Sequence, residues 1–468
     1  MKQTQVCKIL ALGTITAVLF TINGLSQSAD ALIKKLLEKG VLTEKEAQDL
    51  RNEAGQTNLV SASKWKLSDS IKNISLYGDF RGRFEQNNAE NSQYFDRNRY
   101  RYRVRLGTVV SLPANFDLGL RLASGNPQVN PGGTLVGGQS ITANTDLNSL
   151  ESRKFVWVDV AYARWTPIKN SDWTVSGIIG KMDNPFLLSN MIWDYDINPE
   201  GGAFQIAYNL TDKQTLRANG AFFVLDELNQ GYVSPNTLGT GTNAPPAAAP
   251  SHDPYVYGAQ ALWESKWTPK FETSLGVAAF DIVYKESLSA RVQPFYNSGN
   301  SRDANGFLKY NMNPIIGTAS ATYKLDSFPF YPGQFPIKVM GEYLDNPGAP
   351  ANNKAYRAGV TFGKAGRKRT WEVTYRYQRL EADAWFDALV DDDNGAFYAT
   401  GNPQLGGTGK ANGWFGGTNV KGHWVQATYS FTDSFNFTFA YYLNDLIIGA
   451  PGQSSSAGHF MADLMWRF

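Results

Sequence analysis

The chain has 468 residues, and its 44 lysines and arginines nearly balance 42 aspartates and glutamates, for a net charge of +2. Such a balance excludes a general nucleic-acid binder, which needs a basic surplus. The 44 glycines, 13% aromatic content and slightly negative mean hydropathy leave the class open, because half of each membrane-barrel strand faces water.

The N-terminal segment narrows the choice. Lys2 and Lys8 flank a basic start, an apolar run follows from Ile9 to Ile22, and Ala29-Asp30-Ala31 has the small-x-small form of a cleavage site. This predicts a signal peptide over residues 1–31. The run is too short to span a bilayer, which takes about 20 residues. Cys7 is the only cysteine, so the exported chain is expected to form no disulfide. No later stretch approaches 18 uninterrupted apolar residues, which argues against helical membrane spans.

Residues 32–54 carry Leu32, Ile33, Leu36 and Leu37 at helical spacing up to Gly40. Thr43 and Glu46 then form a capping box. A short periplasmic helical segment is expected here. A coiled-coil handle, a cell-wall contact and a loosely packed leader all fit it, since two or three turns do not establish a heptad. Residues 55–73 read as a linker.

From Ile74 the hydrophobic period changes from 3.6 to 2. In Tyr100 to Leu112, Tyr100, Tyr102, Val104 and Leu106 share one face, while Arg101, Arg103 and Arg105 share the other. Stacking these arginines in a dry sandwich core is prohibitive without partners, but in a wet lumen they cost little. Fifteen comparable segments, the first at Ile74–Gln86 and the last at His459–Phe468, bring the total to sixteen. They are separated alternately by short turns and by long loops near residues 87–98, 125–154, 183–202, 224–254, 281–314, 344–355, 381–423 and 445–458. The fold expected for residues 74–468 is therefore all-β: a transmembrane antiparallel barrel of about 16 strands, within a range of 14–18. Tyr100, Trp165, Trp173, Trp263, Trp267, Trp371, Tyr429 and Trp466 fall near strand ends, where interfacial girdles belong. Trp466 and the terminal Phe468 close an alternating strand that resembles the signal read by the barrel assembly machinery.

The stretches GKMDNPF (Gly180 to Phe186) and IWDYDINPEG (Ile192 to Gly201) resemble the "putative porin" family of bacterial outer-membrane proteins. So do the ladder RNRYRYRVRLG (Arg97 to Gly107) and EADAWFDAL (Glu381 to Leu389), and the head is similar to leaders on several porins, phosphate-selective types among them. The resemblance implies a general-diffusion or weakly selective pore without a defined substrate. By analogy with trimeric porins the third long loop folds inward, placing Asp183, Asp194, Asp196 and Glu200 opposite a pore-lining wall of Arg81, Arg83, Arg99, Arg101, Arg103, Arg105 and Arg121. Opposed charges of this kind set up a transverse field. The same acids also fit a solvated surface loop.

Catalytic chemistry is not expected. His252, His423 and His459 have no serine at a suggestive spacing. Asp391-Asp392-Asp393 reads either as a calcium site or as a solvated charge run. The function expected is a passive channel for small hydrophilic solutes and ions, weakly anion-preferring, in the outer membrane of a Gram-negative bacterium. Its partners are expected to be outer-membrane lipid, the assembly machinery and two further copies in a homotrimer, with no nucleic acid and no cofactor. A solute-specific channel for anions or sugars and a closed structural or adhesive barrel are the rival readings.

Overall fold

The computed structural model describes residues 70–92, 96–129, 135–139, 141–227, 252–288, 299–303, 306–402 and 413–468, with isolated positions before them. The expected signal peptide, helical segment and most of the linker lie outside the described residues. No helix among those described is long and apolar enough to cross a membrane.

Sixteen long strands make one antiparallel sheet. They are β1 (Asn73–Ala89), β2 (Arg97–Leu112), β3 (Phe116–Gly125), β4 (Phe155–Lys169), β5 (Trp173–Lys181), β6 (Glu200–Thr211), β7 (Gln214–Val224) and β8 (Tyr255–Thr268), then β9 (Phe271–Val283), β10 (Ile315–Leu325), β11 (Phe335–Asp345), β12 (Lys354–Gly363), β13 (Trp371–Leu380), β14 (Val420–Ser430), β15 (Phe435–Leu446) and β16 (Ala457–Arg467). Each pairs with the next, and β16 pairs back onto β1 through Asp79↔Arg467 to Ala89↔Ala457, so the sheet closes without an edge. Closure satisfies every ladder hydrogen bond within the sheet, the condition for crossing lipid with strands.

The period-2 pattern sorts the two faces. Leu76, Phe80, Val104, Leu106, Ile179 and Phe204 are exposed on the outside, while Asp79, Arg81, Arg83, Arg101 and Arg103 are buried within. Aromatic pairs band the turn end of the wall: Phe116 stacks on Trp165 at 5.5 Å, Trp173 on Tyr208 at 4.3 Å and Phe435 on Trp466 at 4.5 Å. The terminal Phe468 exchanges both backbone hydrogen bonds with Gly78 at 3.1 Å, so the last residue seals the β16–β1 seam.

The inner wall is not polar along its whole height. On β9 the inward positions run Glu272, Ser274, Gly276, Ala278, Phe280, Ile282, polar at the turn end and apolar at the loop end. On β10 and β11, Thr318 and Ser320 give way to Ile316, and Glu342 gives way to Leu344. On one side of the barrel the loop end is therefore an apolar shelf, and buried apolar surface of this kind must find a partner.

Candidate pore constriction

Two loops supply that partner. L3, the segment between β5 and β6 (182–199), brings Met182, Phe186, Met191, Ile192 and Trp193. L7, between β13 and β14 (381–419), brings Trp385, Phe386, Leu389 and Val390. With Phe223, Phe280, Ile316 and Leu344 of the wall they form one buried cluster inside the barrel. Each large apolar side chain buried there contributes about 1.5–3 kcal/mol to holding its loop inward.

Local chemistry aims L3 inward. At its base Gly180 and Gly201 face each other across the β5–β6 ladder, with φ of +115° and +153°. A side chain on either residue would strike a backbone oxygen, that of Ala161 at 2.4 Å or that of Phe222 at 2.2 Å. Only glycine gives the wall this bend. L3 and L7 then join by backbone pairing. The Asp194 N–H donates to the Leu389 carbonyl (2.8 Å), the Asp391 N–H to Asn190 (3.0 Å) and the Trp385 indole N–H to Ile192 (2.9 Å). L5, the segment between β9 and β10 (284–314), braces L7 from behind: Asn300 Nδ2 donates to the carbonyls of Ala382 and Trp385, and Arg302 pairs with Asp387 at 3.1 Å, both side chains fully buried.

The opposite side of the lumen is the basic wall of β1–β3. Each of its seven arginines has a carboxylate within 4.0 Å. Arg83 binds Asp463 of β16 in two-pronged fashion (2.7 and 2.9 Å), with Asp393 of L7 at 3.6 Å, and Asp463 is also 3.9 Å from Arg81. Arg99 and Arg101 share Glu85, Arg101 also reaches Asp146, and Arg103 and Arg105 share Asp79. Arg121 holds Asp159 and Asp183.

The four acids expected to face this wall divide. Asp183 lies 2.8 Å from Arg121, and Asp196 lies 3.4 Å from Arg103 and 4.0 Å from Arg105, so the tip of L3 touches the wall. Glu200 is already the first residue of β6 and pairs with Lys181 at 3.0 Å, away from the arginines. Asp194 is buried against L7, where its carboxylate accepts the N–H groups of Asp196 and Asp392. Asp194, Asp391 and Asp392 each bring a carboxylate oxygen within 4.8 Å of the others. Asp391, read from sequence as part of a solvated run or a calcium ligand, is buried because L7 folds into the barrel.

The electrostatics of the two groups differ accordingly. Burial opposes the Asp196 charge, but Arg103, Arg81, Arg105 and Arg83 together hold its carboxyl below its ordinary range. Burial and then the adjacent Asp393 push Asp391 up to about 6. Burial, with Asp392, Asp196 and Asp391 as neighbours, raises Asp194 well above the usual carboxylate value. The candidate constriction thus combines an acidic tip whose charge the arginines favour with a buried carboxylate junction between L3 and L7 whose charge burial disfavours.

Sequence reasoning missed L7 as an inward loop and Arg357 and Arg376 as a separate pair. Both arginines donate to a single neutral oxygen, Asn190 Oδ1, at 2.8 and 3.1 Å. Arg376 also lies 3.6 Å over the Trp424 ring. The available signal was the alternating strand face that turns apolar before residues 284, 346 and 381, where long loops begin.

Solved structures with similar folds include Pseudomonas putida OprB (TM-score 0.49, 10% identity, covering 87% of this chain and 97% of that one) and Salmonella typhi OmpF in complex with daunomycin (TM-score 0.43, 12% identity, 86% and 99%). A mutant of Rh. blastica porin is also similar, with a TM-score of 0.40, 10% identity, and 85% and 100% covered. No curated protein sequence matches the chain. Residues 85–307, which hold most of the basic wall and all of L3, match the model of the family described as "Putative porin", and the resemblance read from the sequence is borne out there.

Proposed function

We propose that the protein is a passive outer-membrane channel of a Gram-negative bacterium for small hydrophilic solutes and ions, weakly anion-preferring and assembled as a homotrimer. The observation that carries this reading is a closed barrel with an apolar exterior and a charged interior into which L3 and L7 fold. Where L3 meets the wall, the side chains of Arg105 and Asp196 keep about a fifth of their surface exposed (22% and 21%). The pairing of every wall arginine with a carboxylate keeps the net field there small, which favours weak over strong selectivity. The proposal includes no catalytic step. His459 lies between Glu85 and the Asp393 carbonyl, His423 bonds Tyr375, and His252 stacks on Tyr284.

Single-channel recording of the purified protein in a planar bilayer under a salt gradient tests the reading. Stable conductance steps with a reversal potential on the anion side support it, and three-level closures support the trimer. A folded, heat-modifiable barrel that conducts nothing refutes it in favour of a closed structural barrel.

A further inference from the structure

Arg357 and Arg376 differ from the seven arginines of the β1–β3 wall. Both are buried, 5% and 6% exposed, on adjacent inward positions of β12 and β13. Among the described residues neither has a carboxylate within the 4.0 Å that those seven achieve; their shared partner is the amide oxygen of Asn190. Arg357 Nε has no hydrogen-bond partner among the described residues. Two guanidiniums on one neutral oxygen repel each other, and burying them without a counter-ion is costly. The nearby carboxylates compensate only in part. Glu342 sits opposite Arg357 on β11, where its carboxylate is engaged by the Ser189 hydroxyl, and Asp391 is held by Asn190 Nδ2.

Beside this pair lies a cavity of about 330 Å³ beneath L3. Arg357 and Lys338 line one part of it and Leu187, Leu188 and Met340 line another, while Arg376 stands behind Arg357, outside the lining. Two acids also reach the cavity: Glu264, which pairs with Arg217 at 2.8 Å, and Glu342, which accepts from the Ser189 hydroxyl. Its size matches the lower end of small-molecule sites. Cations offer the charge-assisted hydrogen bonds that bind a carboxylate well. The apolar part has no use for a bare inorganic anion but covers a short carbon chain.

We propose that this cavity is a binding subsite for small organic acids, with the carboxylate on Arg357 and Lys338, the Arg376 charge behind Arg357 adding to the field, and the carbon chain against Leu187, Leu188 and Met340. The subsite lies on the permeation path and rests on the channel reading. It makes the anion preference a preference for amphipathic carboxylates.

The test records ion current through the full-length protein at pH 7.5 while acetate, butanoate, hexanoate, inorganic phosphate or glucose is added. Block by the acids should strengthen roughly three- to fourfold per methylene, as burial of each CH2 predicts. Glucose and phosphate should block at least tenfold more weakly than hexanoate. Arg357→Gln and Lys338→Gln should each weaken hexanoate block by tenfold or more. Arg357→Lys, which keeps the charge and is the milder change for folding, should weaken it less. A wild-type channel that conducts but shows no chain-length-dependent block overturns the subsite while leaving the channel reading intact. Equal block by phosphate, or hexanoate block unchanged in both glutamine variants, also overturns it. Absence of any conductance in the wild-type protein overturns the channel reading itself.

Discussion

Trp385→Ala tests whether the constriction is held by the L3–L7 junction. Trp385 is fully buried, its ring centroid lies 5.3 Å from that of Phe280, and its indole N–H donates to the Ile192 carbonyl of L3. Truncating a buried tryptophan costs about 3–5 kcal/mol, including the indole hydrogen bond of about 1 kcal/mol. Every 1.4 kcal/mol is a factor of ten, so ~4 kcal/mol raises the population of the detached loop by roughly a thousandfold. The loss is local. The sixteen strands pair with one another and not with Trp385, and regions of a fold open separately with their own free energies. The variant should therefore keep a heat-modifiable barrel on gel electrophoresis while its single-channel conductance rises and its open-channel noise increases. Conductance and noise identical to wild type in a folded W385A barrel would refute the idea that these two loops set the constriction.

Three further expectations follow from the same geometry. Replacing Arg103 and Arg105 together by Glu sets two new carboxylates beside Asp79 and Asp196, so the reversal potential should move toward cations; an unmoved potential in a folded barrel contradicts their lumenal role. Asp391 binds its proton with a folded-state value of about 6 against an ordinary 3.8. The closed junction is therefore strengthened as pH falls from about 6 toward 4 and weakened as pH rises through that window. Lowering pH from 7.5 to 5 removes negative charge while the arginines stay charged, so anion preference should grow, and Asp391→Asn should blunt that growth in reversal-potential measurements. Arg302→Met removes the charge partner of the fully buried Asp387, and breaking such a pair costs about 3–5 kcal/mol. Protease cleavage within residues 381–402 should then rise steeply, whereas an unchanged cleavage rate would show that L5 does not brace L7.

The barrel was legible in the sequence because it depends on a local rule. Strand residues alternate between two environments, so Arg101, Arg103 and Arg105 against Tyr102, Val104 and Leu106 disclose a wet face and a greasy face without any knowledge of partners. Alternating turn and loop lengths then set the strand number, since each hairpin in a closed up-and-down sheet must reverse the chain. The GKMDNPF stretch pointed to L3, and the glycines that bend its base, Gly180 and Gly201, lie at the two ends of that distinctive region.

What the sequence could not show is which charges meet. Arg121 and Asp183 are 62 residues apart and Arg83 and Asp463 are 380 apart, and their pairing follows from closure and register rather than from spacing. The inward fold of L7 depended on Trp385 and Leu389 finding an apolar shelf built from strands β7 to β13, a surface that exists only once those strands are side by side. For the same reason Asp194 and Glu200, six residues apart in sequence, end in different surroundings: one buried against L7, the other at the start of β6 on Lys181. Alternation determined the wall, and only packing inside the closed barrel decided what narrows it.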